Sequence, residues 1–166
     1  MDKTIKVINE LKKEGVIKDY AIGGGIAAIF YIEPVLTYDL DIFFIPANCD
    51  RKLDILSQIY TSLKKKGYHF HKEHIIIEGI PVQFLPAYNN LVIEAVEKAK
   101  MKRIKKITTR VVTPEYLVAI MVQTYRPKDR ERIVKFITEA ILDKKLLTYI
   151  LHKHSLFDTY RKVTHI

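Results

Sequence analysis

Two short motifs in the first quarter of the chain have residue types and a spacing that suit chemistry. One is the triglycine turn Gly23–Gly25, and the other is the acidic pair Asp39 and Asp41. Residues two apart in a strand point to the same face, so the two carboxylates are expected to project together. Two like charges repel, and a divalent cation such as Mg²⁺, which binds carboxylate and phosphate oxygens, relieves that repulsion. Glycines let backbone N–H groups approach an anion, so the two motifs predict a phosphate site beside a metal site.

Each motif also has a simpler interpretation. An Asp-x-Asp pair at the solvent end of a strand is common surface decoration, and three glycines often form only a tight turn. Residues Gly23–Ala28 also fit the G-x-G-x-x-A dinucleotide fingerprint, which leaves a nicotinamide or flavin site as an alternative. That fingerprint expects an acid at the far end of the second strand, whereas Asp39 and Asp41 open it. The combination of both motifs therefore favours metal and phosphate binding.

The composition and the order of the predicted elements indicate the kind of fold that positions these motifs. The chain has 166 residues, 48% apolar and 28% charged, which is typical of one globular domain. Short β-type runs alternate with helical stretches before residue 112, and the pattern is helical after it. We therefore predict an α+β fold, in which a small mixed β-sheet with flanking helices (residues 1–112) precedes a helical C-terminal portion (residues 113–166). The two portions are expected to pack as a single structural unit.

Hydrophobic periodicity and turn residues predict the individual elements. Ile5, Ile8 and Leu11 mark one face of a first helix, which Gly15 ends. Asp50, Asn89 or Asn90, Thr113, Asp129 and Asp143 are candidate helix caps, with a cap favoured over catalysis for Asp129. Glu78-Gly79 predicts a hairpin turn. The predicted strands are Val16–Ile22, Tyr38–Ile45, Tyr68–Lys72, His74–Ile77, Ile80–Leu85 and Ile104–Val112, and two of the predicted helices run from Ile26 to about Ile32 and from Asn89 or Asn90 to about Lys100.

The spacing of the glycine and aspartate motifs resembles the signature of the DNA polymerase beta-like nucleotidyltransferase superfamily. In that signature a hydrophobic residue and Gly-Gly or Gly-Ser precede Asp-x-Asp, and here thirteen residues separate Gly24-Gly25 from Asp39-Leu40-Asp41-Ile42. Other segments look similar to its small prokaryotic branch, which includes minimal nucleotidyltransferases and abortive-infection nucleotidyltransferase toxins. These segments are Glu33–Thr37, Gly79–Leu85, Thr113–Leu117 and Arg126–Arg130, and the resemblance spans roughly residues 16–137.

The resemblance implies a function for the matching positions. Gly23, Gly24 and Gly25 would hold the triphosphate of an NTP, and Asp39 and Asp41 would be catalytic ligands of Mg²⁺ or Mn²⁺. An acceptor hydroxyl on RNA, protein or a small molecule would attack the α-phosphorus and expel pyrophosphate. The later segment implies that Arg126, Lys128 and Arg132 meet the phosphates, with Arg126 and Lys128 as nucleotide-binding residues. The family resemblance also implies a toxin role with an antitoxin protein as partner.

One position departs from the family pattern. The family usually supplies a third carboxylate on the strand Ile80–Leu85, where this chain has Gln83. An amide can orient a hydroxyl at a nucleotide site, but it neither accepts a proton nor adds charge to a metal. Glu78 is a possible substitute, although a turn acid is its simpler interpretation. The alternative hypothesis is therefore a nucleotide-binding or interaction module of the same fold with weak or lost catalysis.

The basic charge of the chain points to polyanionic partners. The net charge is +9, and Lys98–Arg110 holds seven basic residues among thirteen with no acid. This segment is a candidate RNA or tRNA track, and a solvated edge strand protected by lysines is the competing interpretation. The histidines at 69, 71 and 74 are better explained as a hydrated strand than as a transition-metal site.

The sequence also bears on location. The longest uncharged apolar stretch, Tyr20–Ile32, has thirteen residues, fewer than the roughly eighteen that cross a bilayer. Cys49 is the only cysteine, so no disulfide forms within the chain. We therefore expect no membrane partner and a reducing, cytoplasmic location.

Overall fold

A computed structural model of the chain describes residues 1–48 and 55–165. The candidate cap Asp50 and the single cysteine, Cys49, lie outside the described residues. The helices in the described part are α1 (Asp2–Lys13), α2 (Gly24–Ala28), α3 (Ile55–Lys65), α4 (Asn90–Glu97), α5 (Pro114–Thr124), α6 (Pro127–Glu139), α7 (Lys144–Lys153) and α8 (Phe157–Thr164). The strands are β1 (Ile17–Ile22), β2 (Leu40–Pro46), β3 (His69–His71), β4 (His74–Ile77), β5 (Ile80–Pro86), β6 (Lys100–Ile104) and β7 (Ile107–Val111).

These strands form one mixed sheet in the order β3-β4-β5-β2-β1-β7-β6. The pairs β2/β5 and β1/β7 are parallel, and the other neighbours are antiparallel. Helices precede and follow the sheet strands, and the last four elements are helical. The predicted α+β fold is confirmed. No helix among residues 1–48 and 55–165 is long and apolar enough to cross a membrane.

Strand β2 lies at the centre of the sheet and separates the core from the candidate site. Leu40, Ile42 and Phe44 alternate along β2 and are completely buried, because they face the hydrophobic core. Asp41 and Phe43 therefore point to the opposite face. That face is only partly covered by the later helices, which leaves an open cleft above the middle of β2.

The amphipathic first helix forms as its periodicity predicts. Ile5, Ile8 and Leu11 are fully buried in the core. Tyr20 of β1 fastens this helix to the sheet, since its hydroxyl donates to Asn9 Oδ1 at 2.6 Å and lies 2.9 Å from Thr109 Oγ1 of β7. These hydrogen bonds connect α1 to the neighbouring strands β1 and β7.

Several predicted boundaries are wrong by a few residues. Helix α2 begins at Gly24, within the glycine turn, and not at Ile26, and it ends at Ala28. Helix α4 ends at Glu97, before the predicted Lys100, although its predicted cap is confirmed because Asn89 Oδ1 accepts from the Val92 amide at 2.9 Å. The predicted turn at Glu78-Gly79 is confirmed, with φ of +52° and +80°.

The basic segment forms a hairpin, whereas the sequence analysis predicts a single strand over Ile104–Val112. Strand β6 pairs with β7 from Lys100↔Val111 to Ile104↔Ile107. The turn residue Lys105 has a φ of +53°, a conformation that favours glycine, asparagine or aspartate. The turn contains no glycine, asparagine or aspartate, so no local residue pattern predicts the hairpin.

The hairpin also divides the seven basic side chains among different tasks. Arg110 forms an ion pair with Asp19 through Nη1, and its Nη2 donates to the carbonyls of Val96 and Glu97 at 2.9 and 3.1 Å. It thereby ties β7 to β1 and to the end of α4. Lys105 Nζ lies 3.6 Å from Asp2, and Lys102 Nζ lies 5.4 Å from the centre of the Tyr31 ring. The segment is therefore not one continuous row of free cations.

This division predicts that replacing two basic residues of the hairpin by methionine has unequal effects on stability. We expect Arg110→Met to lower the free energy of unfolding by about 2–3 kcal/mol, because it leaves the half-buried Asp19 carboxylate with only the exposed Lys12 as ion-pair partner and removes the donor to the Val96 and Glu97 carbonyls. Lys106→Met is the matched control and should change it by less than about 0.5 kcal/mol. Urea unfolding measures both, and equal effects would contradict the structural role of Arg110.

Candidate active site

The glycine turn and the β2 carboxylate are in direct contact. The Gly23 amide donates to the Asp41 carbonyl at 2.9 Å, which holds the turn beside β2. Gly24 has a φ of +56°, and a Cβ at this position would overlap the Asp41 carboxylate at Oδ2. A side chain at Gly24 is therefore excluded twice, by backbone conformation and by space. The sequence prediction that these two motifs converge is borne out by the geometry.

Asp39 and Asp41 lie on the same side of the chain as it enters β2. Asp39 lies directly before the first residue of β2, and Asp41 is the second residue of that strand. Burial and, to a lesser extent, the charge of Asp39 raise the pKa of Asp41 to about 6, although Lys128, Arg126 and Arg132 act in the opposite direction. The two carboxylates thus share a field in which an added cation would be favourable.

Gln83 lies next to Asp41, where the family pattern has its third carboxylate. The parallel register of β2 and β5 pairs Asp41 with Gln83. Glu78, the possible substitute, lies in the β4–β5 turn, where its carboxylate accepts from the Tyr68 hydroxyl at 2.8 Å. Its position fits the simpler interpretation as a turn acid.

His74 is a neighbour of the site that the sequence analysis missed. It begins β4, and its Nε2 lies 3.4 Å from Asp39 Oδ2. Thr37 Oγ1 lies on the other side, 3.5 Å from Asp39 Oδ1, and Thr37 also packs against Gly25. The sequence could not reveal the histidine contact, since it depends on β4 and β5 folding back beside β2.

The other histidines stay apart from the site. His69 and His71 are exposed on the edge strand β3. Within residues 1–48 and 55–165, no three His, Cys, Asp or Glu side chains are arranged to hold a metal ion together. A cation at Asp39 and Asp41 would therefore take its remaining ligands from substrate, water or neutral oxygens such as that of the Gln83 amide, as Mg²⁺ commonly does.

Arg126 is held in place by a buried acid. Asp129 is 1% exposed, and it accepts from Arg126 Nε at 2.7 Å, from Arg126 Nη2 at 3.2 Å and from the Thr124 hydroxyl at 2.8 Å. Although burial opposes ionisation, the hydrogen bonds from Arg126 and Thr124 keep the pKa of Asp129 below its usual value. The guanidinium is thereby fixed at the edge of the cleft.

The position of Asp129 corrects the predicted start of α6. The helix begins at Pro127 with Arg126 as its N-cap, so Asp129 is not the cap residue itself. It is the third residue of the helix, and its carboxylate accepts from the Arg126 backbone amide at 3.2 Å. Asp143, by contrast, caps α7 as predicted and accepts from the Leu146 amide at 3.0 Å.

Lys128 and Arg132 lie one turn apart on α6, and Arg132 also lines the cleft that contains Asp41. Both line a groove against the loop that precedes β2, and Arg132 Nη2 donates to the Leu36 carbonyl at 3.4 Å. Both act electrostatically on Asp41. Of the predicted site residues, Gly24, Asp41, Gln83 and Arg126 line one cleft. The others lie next to it: the Gly23 amide donates to the Asp41 carbonyl, Gly25 packs against Thr37, and Asp39 and Lys128 act electrostatically on Asp41.

The comparisons with known proteins agree with this geometry. Residues 1–158 match the family described as "Nucleotidyl transferase of unknown function (DUF2204)", and the chain belongs to this family. No curated protein matches it in sequence. The recognition of a nucleotidyltransferase from the glycine and aspartate motifs is confirmed.

Solved structures with the same fold give further support. An antigenic nucleotidyltransferase-like protein from Paracoccidioides brasiliensis is 15% identical, with a TM-score of 0.58 over 98% of this chain and 95% of that one. ANT(2″)-Ia, solved in complex with adenylyl-2″-tobramycin, is 14% identical, with a TM-score of 0.50 over 97% of this chain and 95% of that one. At these identities the likeness establishes the fold.

The partly buried charge at Asp41 predicts that its removal stabilises the fold in a pH-dependent way. Folding raises the Asp41 pKa from 3.8 to about 6, so the folded chain holds this proton more tightly than the unfolded chain does. Ionised Asp41 therefore costs stability progressively as the pH rises from about 4 to about 6. Asp41→Asn should raise the free energy of unfolding by about 1–3 kcal/mol at pH 8 and change it little near pH 4.

Chemical denaturation at several pH values, without divalent cations, measures this gain. Asp143→Asn is the matched control, because it makes the same chemical change at an exposed helix cap where asparagine also caps. A gain for Asp41→Asn that does not vary with pH would contradict the electrostatic origin.

Proposed function

We propose that this protein transfers NMP from an NTP to an acceptor hydroxyl in a reaction that depends on Mg²⁺ or Mn²⁺. The observation that carries the proposal is the contact between the Asp41 carboxylate and the Gly24 turn, with Asp39 on the same side. A bound phosphate and a bound cation at this contact would share one small volume, which is the arrangement that nucleotidyl transfer requires.

The residues fit a hard divalent cation. Asp39 and Asp41 supply carboxylate oxygens, and the paired residue Gln83 offers an amide oxygen beside them. The raised pKa of Asp41 is the expected property of an acid that lacks a neutralising partner. When bound, the ion would neutralise phosphate charge and lower the pKa of the acceptor hydroxyl.

The cationic side chains orient the triphosphate in this proposal. Arg126, held by Asp129, and Lys128 face the carboxylates from α6 and would bind phosphate oxygens. The acceptor oxygen forms a bond to the α-phosphorus, the bond from that phosphorus to the bridging oxygen breaks, and pyrophosphate leaves. The hydroxyl proton is released to water.

Three acceptor classes follow from the family resemblance: RNA, protein and small molecules. RNA or tRNA would use the free cations of the Lys98–Arg110 hairpin, without Arg110 itself. A small molecule has a parallel in the fold neighbour solved with adenylyl-2″-tobramycin. A toxin role with an antitoxin partner predicts growth arrest that requires Asp39. A chain with a single cysteine forms no internal disulfide, and we therefore propose the reducing cytoplasm as its compartment.

The central experiment is transfer from α-³²P-labelled NTPs in a cell extract with Mg²⁺. We expect Asp39→Asn and Asp41→Asn each to lower incorporation at least about a hundredfold, because removing a catalytic charge commonly costs about 3 kcal/mol or more of transition-state stabilisation. Glu78→Gln is the matched control and should retain activity. Partition of the label among RNA, protein and small-molecule fractions identifies the acceptor class.

A nucleotide-binding module with weak catalysis is the second candidate, favoured by Gln83 at the third carboxylate position. Gln83→Asp separates the two proposals. A large gain in Mg²⁺-dependent incorporation would indicate a weakened enzyme, whereas a loss would indicate that the amide already serves the native reaction. NTP binding without incorporation in either form would support the binding module and contradict the enzyme.

A further inference from the structure

A cavity extends from the carboxylates into the space between the sheet and the later helices. Its volume is about 240 Å³, below the roughly 300–1,000 Å³ that is typical of pockets for drug-sized ligands. Asp41 and Gly24, which contact each other, form a polar end, and Arg126 also lines the cavity. Two residues further along β2 and β5 than Asp41 and Gln83, Phe43 and Leu85 begin an apolar part, which Val92, Leu117, Ile120 and Met121 also line.

The shape and chemistry of this cavity select one part of an NTP. Apolar walls cannot replace the hydration of a phosphate, so the phosphates must stay at the end with the glycine turn and Arg126. A flat heterocycle, in contrast, gains from contact with Phe43 and Met121. The cavity therefore suits the nucleobase that is attached to phosphates bound at the polar end.

Two amide side chains, Asn89 and Gln123, also line the cavity, with Asn89 just after the end of β5 and Gln123 exposed near the end of α5. Asn89 caps α4, since its Oδ1 accepts from the Val92 amide at 2.9 Å. The cap fixes which way the Asn89 amide points, and its Nδ2 donates to Gln123 Oε1 at 3.1 Å. The oxygen of Gln123 is thereby engaged, which leaves its Nε2, a donor only, for a ligand.

We propose that Gln123, oriented by Asn89, makes this cavity selective for nucleobases that present a carbonyl oxygen. Uracil and guanine carry a carbonyl where cytosine and adenine carry an amino group, so UTP and GTP are the favoured donors. The inference rests on the proposed function, because it takes the phosphates to bind at Gly24 and Arg126. Beyond the proposed function, the inference assigns a base preference and names Gln123 and Asn89 as the residues that determine it.

The test compares equilibrium binding of non-hydrolysable α,β-methylene UTP and CTP in the presence of Mg²⁺. The two bases differ at the group that Gln123 would contact, so the ratio of the two dissociation constants isolates that contact. We expect the wild-type protein to bind the UTP analogue about tenfold more tightly than the CTP analogue. The Gln123 amide N–H can donate to the uracil carbonyl, whereas in the CTP complex it would face the cytosine amino group, which is also a donor.

Two variants should reverse the preference for different reasons. Gln123→Glu replaces the donor by an acceptor, which pairs with the cytosine amino group. Asn89→Asp keeps the α4 cap with one oxygen and accepts from Gln123 with the other, so it turns the Gln123 amide and presents Oε1 to the cavity. A purely steric role for Gln123 would not produce this second reversal.

Gln58→Glu is the matched control, since it makes the same chemical change on an exposed face of α3, and it should preserve the wild-type ratio. Equal binding of the two analogues by wild type, or a ratio that neither variant changes, would overturn the base preference alone. Failure of every NTP analogue to bind, with or without the variants, would overturn both this inference and the proposed function.

Discussion

The partly buried Asp41 carboxylate, in contact with the Gly24 turn, is the constraint from which the rest of the site follows. It has lost much of its hydration and faces a second acid, so its ionised form is unfavourable until a cation arrives. Glycine at position 24 is the condition for this contact, because any side chain would displace the carboxylate. The ionised Asp41 carboxylate is thus an unfavourable charge that binding of a cation would offset, which couples stability to ligand binding at this position.

The sheet topology makes this contact possible. Strand β2 is the central strand and pairs with β1 on one side and β5 on the other. The face of β2 that carries Asp41 is therefore fixed relative to β1, the glycine turn and β5. The later helices then contribute a guanidinium whose direction is set by buried Asp129 and not by the ligand. Such preorganisation lowers the cost of ordering side chains when substrate binds. The apolar cavity behind the carboxylates arises because α4 and α5 only partly cover the same face.

The sequence was informative wherever one local pattern determined the result. The buried face of α1, the turn at Glu78-Gly79, and the converging glycine and aspartate motifs could all be predicted from spacing and turn chemistry. The β6–β7 hairpin could not, because Lys105 adopts a positive φ without a residue type that signals it. Pairings across the fold, such as His74 with Asp39 and Asn89 with Gln123, depend on strand register and helix packing. No spacing in the chain encodes them directly.

The central claim is that one cation and one triphosphate occupy the corner between Gly24 and Asp41. A crystal structure with Mg²⁺ and a non-hydrolysable NTP tests it most directly. The account predicts a metal ion with oxygen ligands from both Asp39 and Asp41, and phosphate oxygens beside the Gly24 and Gly25 amides and the Arg126 guanidinium. A nucleotide bound elsewhere on the molecule, with these two carboxylates still without a metal ion, would contradict it.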